Sequence, residues 1–298
     1  MPENDNKPKA YKRKFGDRID GRRVRTLDAY HTAMSYIMPK KYDSCNYFTD
    51  SVEVTDIDRF LRKLRTERGM PGVGMLHLIT AAFVRTTAEF PELNRFISGQ
   101  RVFQRYYPEL VMSVKLELKT KSPETSMKVP LERTDTLPEV YAKITEQLEK
   151  ARGAATKTDN LAGVLNKLPR PLFRFAVWLL DTLDYYGKLP RSIIDASPFH
   201  GGIIITDLGS IGIPNLYHHL YSFGNLPLFF TIGSKRRAYE LDRNGGAVER
   251  KYVEISLVSD ERITDGFYFS QAYRYFNSIL RNPERLMSPP EHVNEDIR

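Results

Sequence analysis

The stretch Ser259-Asp260-Glu261-Arg262-Ile263-Thr264-Asp265-Gly266 holds three carboxylates and a guanidinium within eight residues. It follows a β-branched run over 253–258 that predicts a strand, and it precedes an aromatic-rich stretch over 267–280 that predicts a helix ending near Pro283. A tight polar turn between a strand and a helix is where a fold can hold side chains rigidly at a cleft. Other signatures of chemistry are missing. There is no G-x-S-x-G elbow and no glycine-lysine phosphate loop, and Gly202 and Gly209 punctuate strands rather than form a dinucleotide fingerprint. Six scattered histidines and one cysteine offer no metal-ligand spacing, so no metal is expected. His218-His219 is the one adjacent pair, and neighbouring helix residues point in different directions, which disfavours joint chelation.

The elements that must position this turn can be read in order. Residues 27–37 predict a short helix before Pro39, and 46–55 a strand. Residues 56–68 predict a helix with Ile57, Phe60, Leu61 and Leu64 on one face; a more apolar helix over 75–90 is closed by Pro91. His77 in that helix reads as a satisfied, partly buried histidine. Strand alternation marks 101–107, 110–120 and 126–131, and Asp135 or Thr136 caps a helix running to Arg152. A helical region over 160–187, broken at Pro169 and Pro171, carries Phe173, Phe175, Ala176, Leu179, Leu180 and Leu183, a face assigned to core or subunit packing. Strands over 203–206 and 227–233 follow, and Asn244-Gly245-Gly246 makes a hairpin turn between strands at 239–241 and 253–258.

Composition sets outer bounds. With 298 residues, 41% hydrophobic and 28% charged, the chain can bury a substantial core and is ordinary for a soluble globular protein. One cysteine excludes an internal disulfide framework, and the N-terminus has no apolar signal region, so a cytoplasmic protein without a membrane partner is expected. Of the net charge of +8, residues 1–26 supply +5 through nine Lys/Arg and four acids. That reads as a solvated basic arm, and no nucleic-acid-binding signature supports a nucleic-acid partner. The division is an arm over 1–26, one domain over 27–290 and a tail over 291–298.

The order of these features resembles the acyltransferase catalytic domain of the 2-oxoacid dehydrogenase complexes and its relative chloramphenicol acetyltransferase. The features are the 56–68 helix after a Val-x-Val-Thr strand, Pro91-Glu92-Leu93-Asn94, Ile203-Ile204-Ile205-Thr206-Asp207-Leu208-Gly209, Ile232-Gly233 and the 260–266 turn. Single motifs are modest; their order and spacing from about 27 to 286 are more specific. The resemblance implies an α/β (α+β) two-layer sandwich of chloramphenicol acetyltransferase type, with a mixed sheet covered by helices. It implies a homotrimer with sites in channels between subunits, coenzyme A or acyl-CoA as substrate, and a small-molecule acyl acceptor. In the family motif D-H-R-x-x-D-G, Asp260, Arg262, Asp265 and Gly266 match, while the histidine position holds Glu261. Asp265 would be the structural acid, paired with Arg25, Lys40 or Lys41. Thr206 matches the hydroxyl that hydrogen-bonds the oxyanion in T-I-S-N-L-G, with Asp207 where Asn is usual. About 26 residues precede the core where dehydrogenase acyltransferases carry a lipoyl domain, which implies a stand-alone enzyme or one acting on another protein's lipoyl group.

Three readings stay open. Glu261 serves as the base, although an ordinary glutamate near pKa 4.3 is about two units weaker than histidine unless burial raises it. A histidine from elsewhere serves instead: His200, His218 or His219. Or the chain is a catalytically degenerate trimer that binds an acyl-CoA-like ligand or acts as a scaffold. Outside these readings, Glu261 would pair with Arg262 or another cation in a solvated turn. Cys45 is either a small buried hydrophobe or a residue lining an acceptor pocket.

Overall fold

In the computed structural model, residues 11–115, 124–153 and 156–296 are described. A six-stranded mixed sheet runs in the order β2 (Cys45–Glu53), β9 (Ala247–Asp260), β8 (Leu228–Leu241), β7 (Ile203–Asp207), β5 (Glu109–Lys115) and β6 (Glu124–Pro130). The β5–β7 and β7–β8 joins are parallel and the rest antiparallel. A second sheet orders β1 (Gly21–Arg23), β4 (Arg101–Arg105) and β3 (Arg95–Ser98), all antiparallel. The helices are α1 (Ala29–Ile37), α2 (Thr55–Glu67), α3 (Met75–Glu89), α4 (Leu137–Gly153), α5 (Lys157–Asn166), α6 (Arg170–Tyr185), α7 (Arg191–Ala196) and α8 (Gly266–Arg281).

Strand periodicity gives the large sheet two unlike faces. One face presents Ile203, Ile205, Leu228, Phe230, Ile232, Val253 and Ile255, and α2, α3, α4 and α8 bury it into the main core. The α2 residues Ile57, Phe60, Leu61 and Leu64 are the buried ones, as their spacing predicts, whereas α3 is buried on nearly all sides and so shows no clean amphipathic stripe. The opposite face carries Val111, Ile204, Phe229 and Val258, and the helices leave it to Leu220, Leu226 and neighbouring chain. The 213–221 segment reaches this face because Gly233 has no side chain: a Cβ there would stand 2.5 Å from the Asn215 nitrogen. Ser234 N–H donates to the Ile213 carbonyl at 2.9 Å, fixing the approach.

Several boundaries depart from the sequence reading. The stretch read as a solvated arm contains β1, and its Arg18 and Asp20 are buried; residues 1–10 lie outside the described residues. At the other end, the tail's Asp296 is buried against Arg95 at 2.5 Å. Pro171 does not break the 160–187 helical region but sits in the first turn of α6, where its missing N–H costs nothing. β8 joins the expected strands at 227–233 and 239–241 into one of fourteen residues, and β9, also of fourteen, starts at Ala247, ahead of the expected 253. The last residues of the expected 110–120 strand, from 116 on, lie outside the described residues.

Candidate functional site

β9 delivers its last residue, Asp260, into the buried corner beside Cys45, its register partner on β2. The Asp260 carboxylate accepts Arg262 Nε at 2.8 Å, Nη2 at 2.6 Å and the Arg262 backbone N–H at 3.1 Å. Arg262 Nη1 donates onward to the Met38 carbonyl at 2.7 Å. Both charges are buried and paired, so losing either would strand the other at a cost of about 3–5 kcal/mol. Arg262 therefore belongs to Asp260 and not, as the surface-pair reading has it, to Glu261. Glu261 is pinned through its backbone, whose N–H donates to the Ser44 carbonyl at 2.8 Å. Its half-buried carboxylate makes no hydrogen bond or ion pair among the described residues.

The expected cationic partner of Asp265 is a further correction. Asp265 is exposed and caps α8, accepting the Tyr268 N–H at 2.8 Å, because the first turn of a helix has unsatisfied N–H groups that a carboxylate serves well. Gly266 opens that helix. Arg25 pairs with Asp17 at 2.9 Å, and Lys40 lies over the Tyr42 ring. Lys41 is buried and donates to the Gly224 carbonyl at 2.7 Å; burial pushes its pKa down to about 8, against the pull of Asp260. On the far side of the turn, Thr264 Oγ1 donates to Glu92 at 2.6 Å, and Glu92 holds Arg95 at 2.9 Å.

Thr206 belongs to a feature that the sequence reading missed. Register places Thr206 beside Thr231, Thr231 beside Ser256 and Ser256 beside Thr49, a row of hydroxyls across four strands on the face the helices leave open. Ser256 Oγ takes Asn215 Nδ2 at 2.6 Å and lies 3.1 Å from Thr49 Oγ1, which donates to Tyr217 at 2.8 Å. The Thr206 hydroxyl has no such partner among the described residues. A signal was present: Thr231 interrupts Leu228-Phe229-Phe230 and Ile232, and Ser256 interrupts Ile255 and Leu257. Beyond the row, burial raises the Asp207 pKa, although its carboxylate accepts the Ser210 N–H at 3.0 Å.

The alternative bases fare unequally. His200 is fully buried, with Nδ1 2.8 Å from Ser197 Oγ and Nε2 3.3 Å from Asp184, so no substrate reaches it. His218 lies on the open face, stacked on Phe229 at 4.0 Å, and burial lowers its pKa. Its Nδ1 lies 3.1 Å from the His219 backbone nitrogen and 3.3 Å from the His219 carbonyl oxygen, so a backbone partner is at hand for either neutral tautomer. His219 is exposed and stacks on His218. Cys45 is half-buried; its thiol donates to the Lys41 carbonyl at 3.0 Å, and burial raises its pKa. His77 is satisfied as expected, accepting the Gly74 N–H at 3.2 Å, and burial takes its pKa down to about 4.

Within one chain the turn and the hydroxyl row stay apart. Glu261 lies five residues beyond Ser256, about 15 Å along the strand direction. A cleft of about 720 Å³ between α4, β6 and α7 holds neither; its Lys128 and Arg191 already pair with Glu109 and Asp195. No His/Cys/Asp/Glu group suited to a metal occurs among the described residues.

The mixed sheet with helices on one face is an α/β fold, and solved acetyltransferase cores share it. The chain is similar to a probable dihydrolipoamide acetyltransferase from Listeria monocytogenes, with a TM-score of 0.56 and 13% identity over 88% of this chain and 95% of that one. It is similar to the cubic core of a pyruvate dehydrogenase multienzyme complex, with a TM-score of 0.55 and 14% identity over 89% and 94% of the two chains. Azotobacter vinelandii dihydrolipoamide acetyltransferase gives a TM-score of 0.54 and 14% identity over 89% and 94%. No family model matches the sequence. No curated protein matches it either.

Proposed function

We propose that the protein is an acyltransferase that moves an acyl group between a coenzyme A thioester and a thiol, hydroxyl or amine acceptor, with Glu261 as the base. The observation that carries this reading is the Glu261 carboxylate, without a partner among the described residues on a corner where Asp260, Arg262 and Asp265 are all engaged. Glu261 takes the acceptor's proton as the acceptor attacks the thioester carbonyl. The Thr206 hydroxyl donates to the oxyanion that forms. Collapse breaks the carbon–sulfur bond, and the departing thiolate of coenzyme A takes the proton from Glu261. Since one chain holds the two groups about 15 Å apart along the strand, the reading places each site between copies in a trimer, the turn of one facing the hydroxyl row of the next. The similar pyruvate dehydrogenase core is itself part of an assembly. A lipoyl group on another protein is one thiol acceptor to try.

Purified protein with acetyl-CoA and a panel of thiol, hydroxyl and amine acceptors tests this. Release of coenzyme A above background is expected. Glu261→Ala abolishes it, and Thr206→Val lowers turnover roughly 10²–10³-fold, the usual scale for one oxyanion donor. Mixing the two variants restores activity if the groups act from different subunits. A second reading, a degenerate binder or scaffold, is favoured by the burial of His200. Saturable coenzyme A binding without turnover, even in Glu261→His, decides for it.

A further inference from the structure

The apolar face over 160–187, assigned from sequence to packing, is exposed along much of α6. Successive helical residues turn by about 100°, which puts Leu172, Phe175, Trp178 and Leu179 on the outer side. Their exposures are 54%, 55%, 59% and 39%. Phe175 and Trp178 form one patch, their rings 5.6 Å apart. The opposite side carries Val177, Leu180 and Asp184, which face the body.

The helix is fastened at one end. Asp184 binds Arg18 at 2.6 Å, and its carbonyl accepts Ser98 Oγ at 2.9 Å. The outer side of the remaining turns is held in place yet uncovered.

Charge identifies the occupant. From 160 to 180 there is no Asp or Glu, but there are Lys167, Arg170 and Arg174, all exposed and without an ion pair among the described residues. A second copy docked with its helix parallel would set these cations against their equivalents; docked antiparallel it would bring them toward the exposed Asp181, which lies off the apolar stripe. An apolar, aromatic stripe flanked by unpaired cations on a surface helix suits the headgroup and acyl boundary of an anionic bilayer, where the rings enter the acyl region and the cations meet phosphates. We propose that α6 docks the protein on anionic lipid surfaces. The helix lies on the membrane and does not span it: no helix among the described residues is long and apolar enough to cross one.

Trp178 is the single tryptophan of the chain and reports directly on this helix. Full-length protein is titrated with vesicles of phosphatidylcholine containing 30% phosphatidylglycerol, and with phosphatidylcholine alone. The expected result is a blue shift of Trp178 emission and quenching by brominated acyl chains with the anionic vesicles. The affinity for phosphatidylcholine alone is at least tenfold weaker. Arg170→Glu/Arg174→Glu removes most of the preference for anionic vesicles, and Leu172→Ser/Phe175→Ser lowers co-sedimentation at least tenfold, both with unchanged circular dichroism. Unshifted emission up to millimolar anionic lipid overturns the proposal. So does a lipid-independent blue shift that grows with protein concentration alongside a rise in sedimenting mass, which makes the face a contact between copies.

Discussion

Asp184 ties α6 to the body, and its removal has a worked consequence. Burial alone would raise its pKa, but the His200 ring 3.3 Å away and the charge of Arg18 outweigh that and hold it at about 2, against the ordinary 3.8. A carboxylate held that far down contributes roughly 2 kcal/mol of stability. The sign follows from the depression: the contribution is complete above the unfolded value and is lost as pH falls through the folded one. About half is therefore gone at pH 3. Asp184→Asn leaves Arg18 with Asp20 at 2.8 Å as its remaining anion, so the penalty falls at about 2–4 kcal/mol at pH 7. Urea unfolding followed by circular dichroism, wild type beside Asp184→Asn at pH 7, 5 and 3, measures it. The penalty is expected to be flat from pH 7 to 5 and smaller by about 1 kcal/mol at pH 3. An unchanged midpoint at pH 7, or an equal penalty at pH 7 and 3, refutes the reasoning.

Three further outcomes can be checked. Asp260→Ala strands the buried Arg262 guanidinium and should cost about 3–5 kcal/mol in the same unfolding assay, against well under 1 kcal/mol for an exposed change such as Glu291→Ala. Gly99 sits at φ +55°, and a Cβ there would run into the Tyr185 carbonyl, so Gly99→Ala should destabilise by about 2 kcal/mol or more. A neutral result would mean that the α6 end yields easily. Cys45 should react with iodoacetamide at pH 8 at least tenfold more slowly than in urea, because burial disfavours its thiolate. Equal rates would place the thiol in open solvent.

What the sequence made legible was what the chain encodes locally. The apolar runs of β7 and β8, the four-residue face of α2 and the Pro91 stop after α3 all carry their own signals. β1 and β3 do not. Gly21-Arg22-Arg23 reads as basic arm, and only its pairing with β4 makes it a strand. The outer end of β8 at 239–241 and its hairpin turn were legible, but residues 234–238 and 247–252 are largely polar and held by cross-strand pairs such as Arg250 with Glu240 and Arg237 with Glu249, so no apolar alternation announces them. The 260–266 turn was visible as a site, but the distribution of its charges was not. Whether Arg262 pairs with Asp260 or Glu261 depends on the Met38 carbonyl, more than two hundred residues upstream. Likewise, His200 is a plausible base until Ser197 and Asp184 close around it.

The pairing of β2 with β9 sets an order on biosynthesis. Cys45 finds its register partner only at Asp260, more than two hundred residues later on the nascent chain. α3, with twelve of its fifteen residues buried in the finished protein, must wait for β7, β8 and β9 to build the sheet face it covers. At roughly 5–20 residues per second, the ribosome takes about 10–40 s to close that gap. Throughout that interval an apolar helix and an unpaired strand stand exposed, and the core closes only once α8 has followed β9.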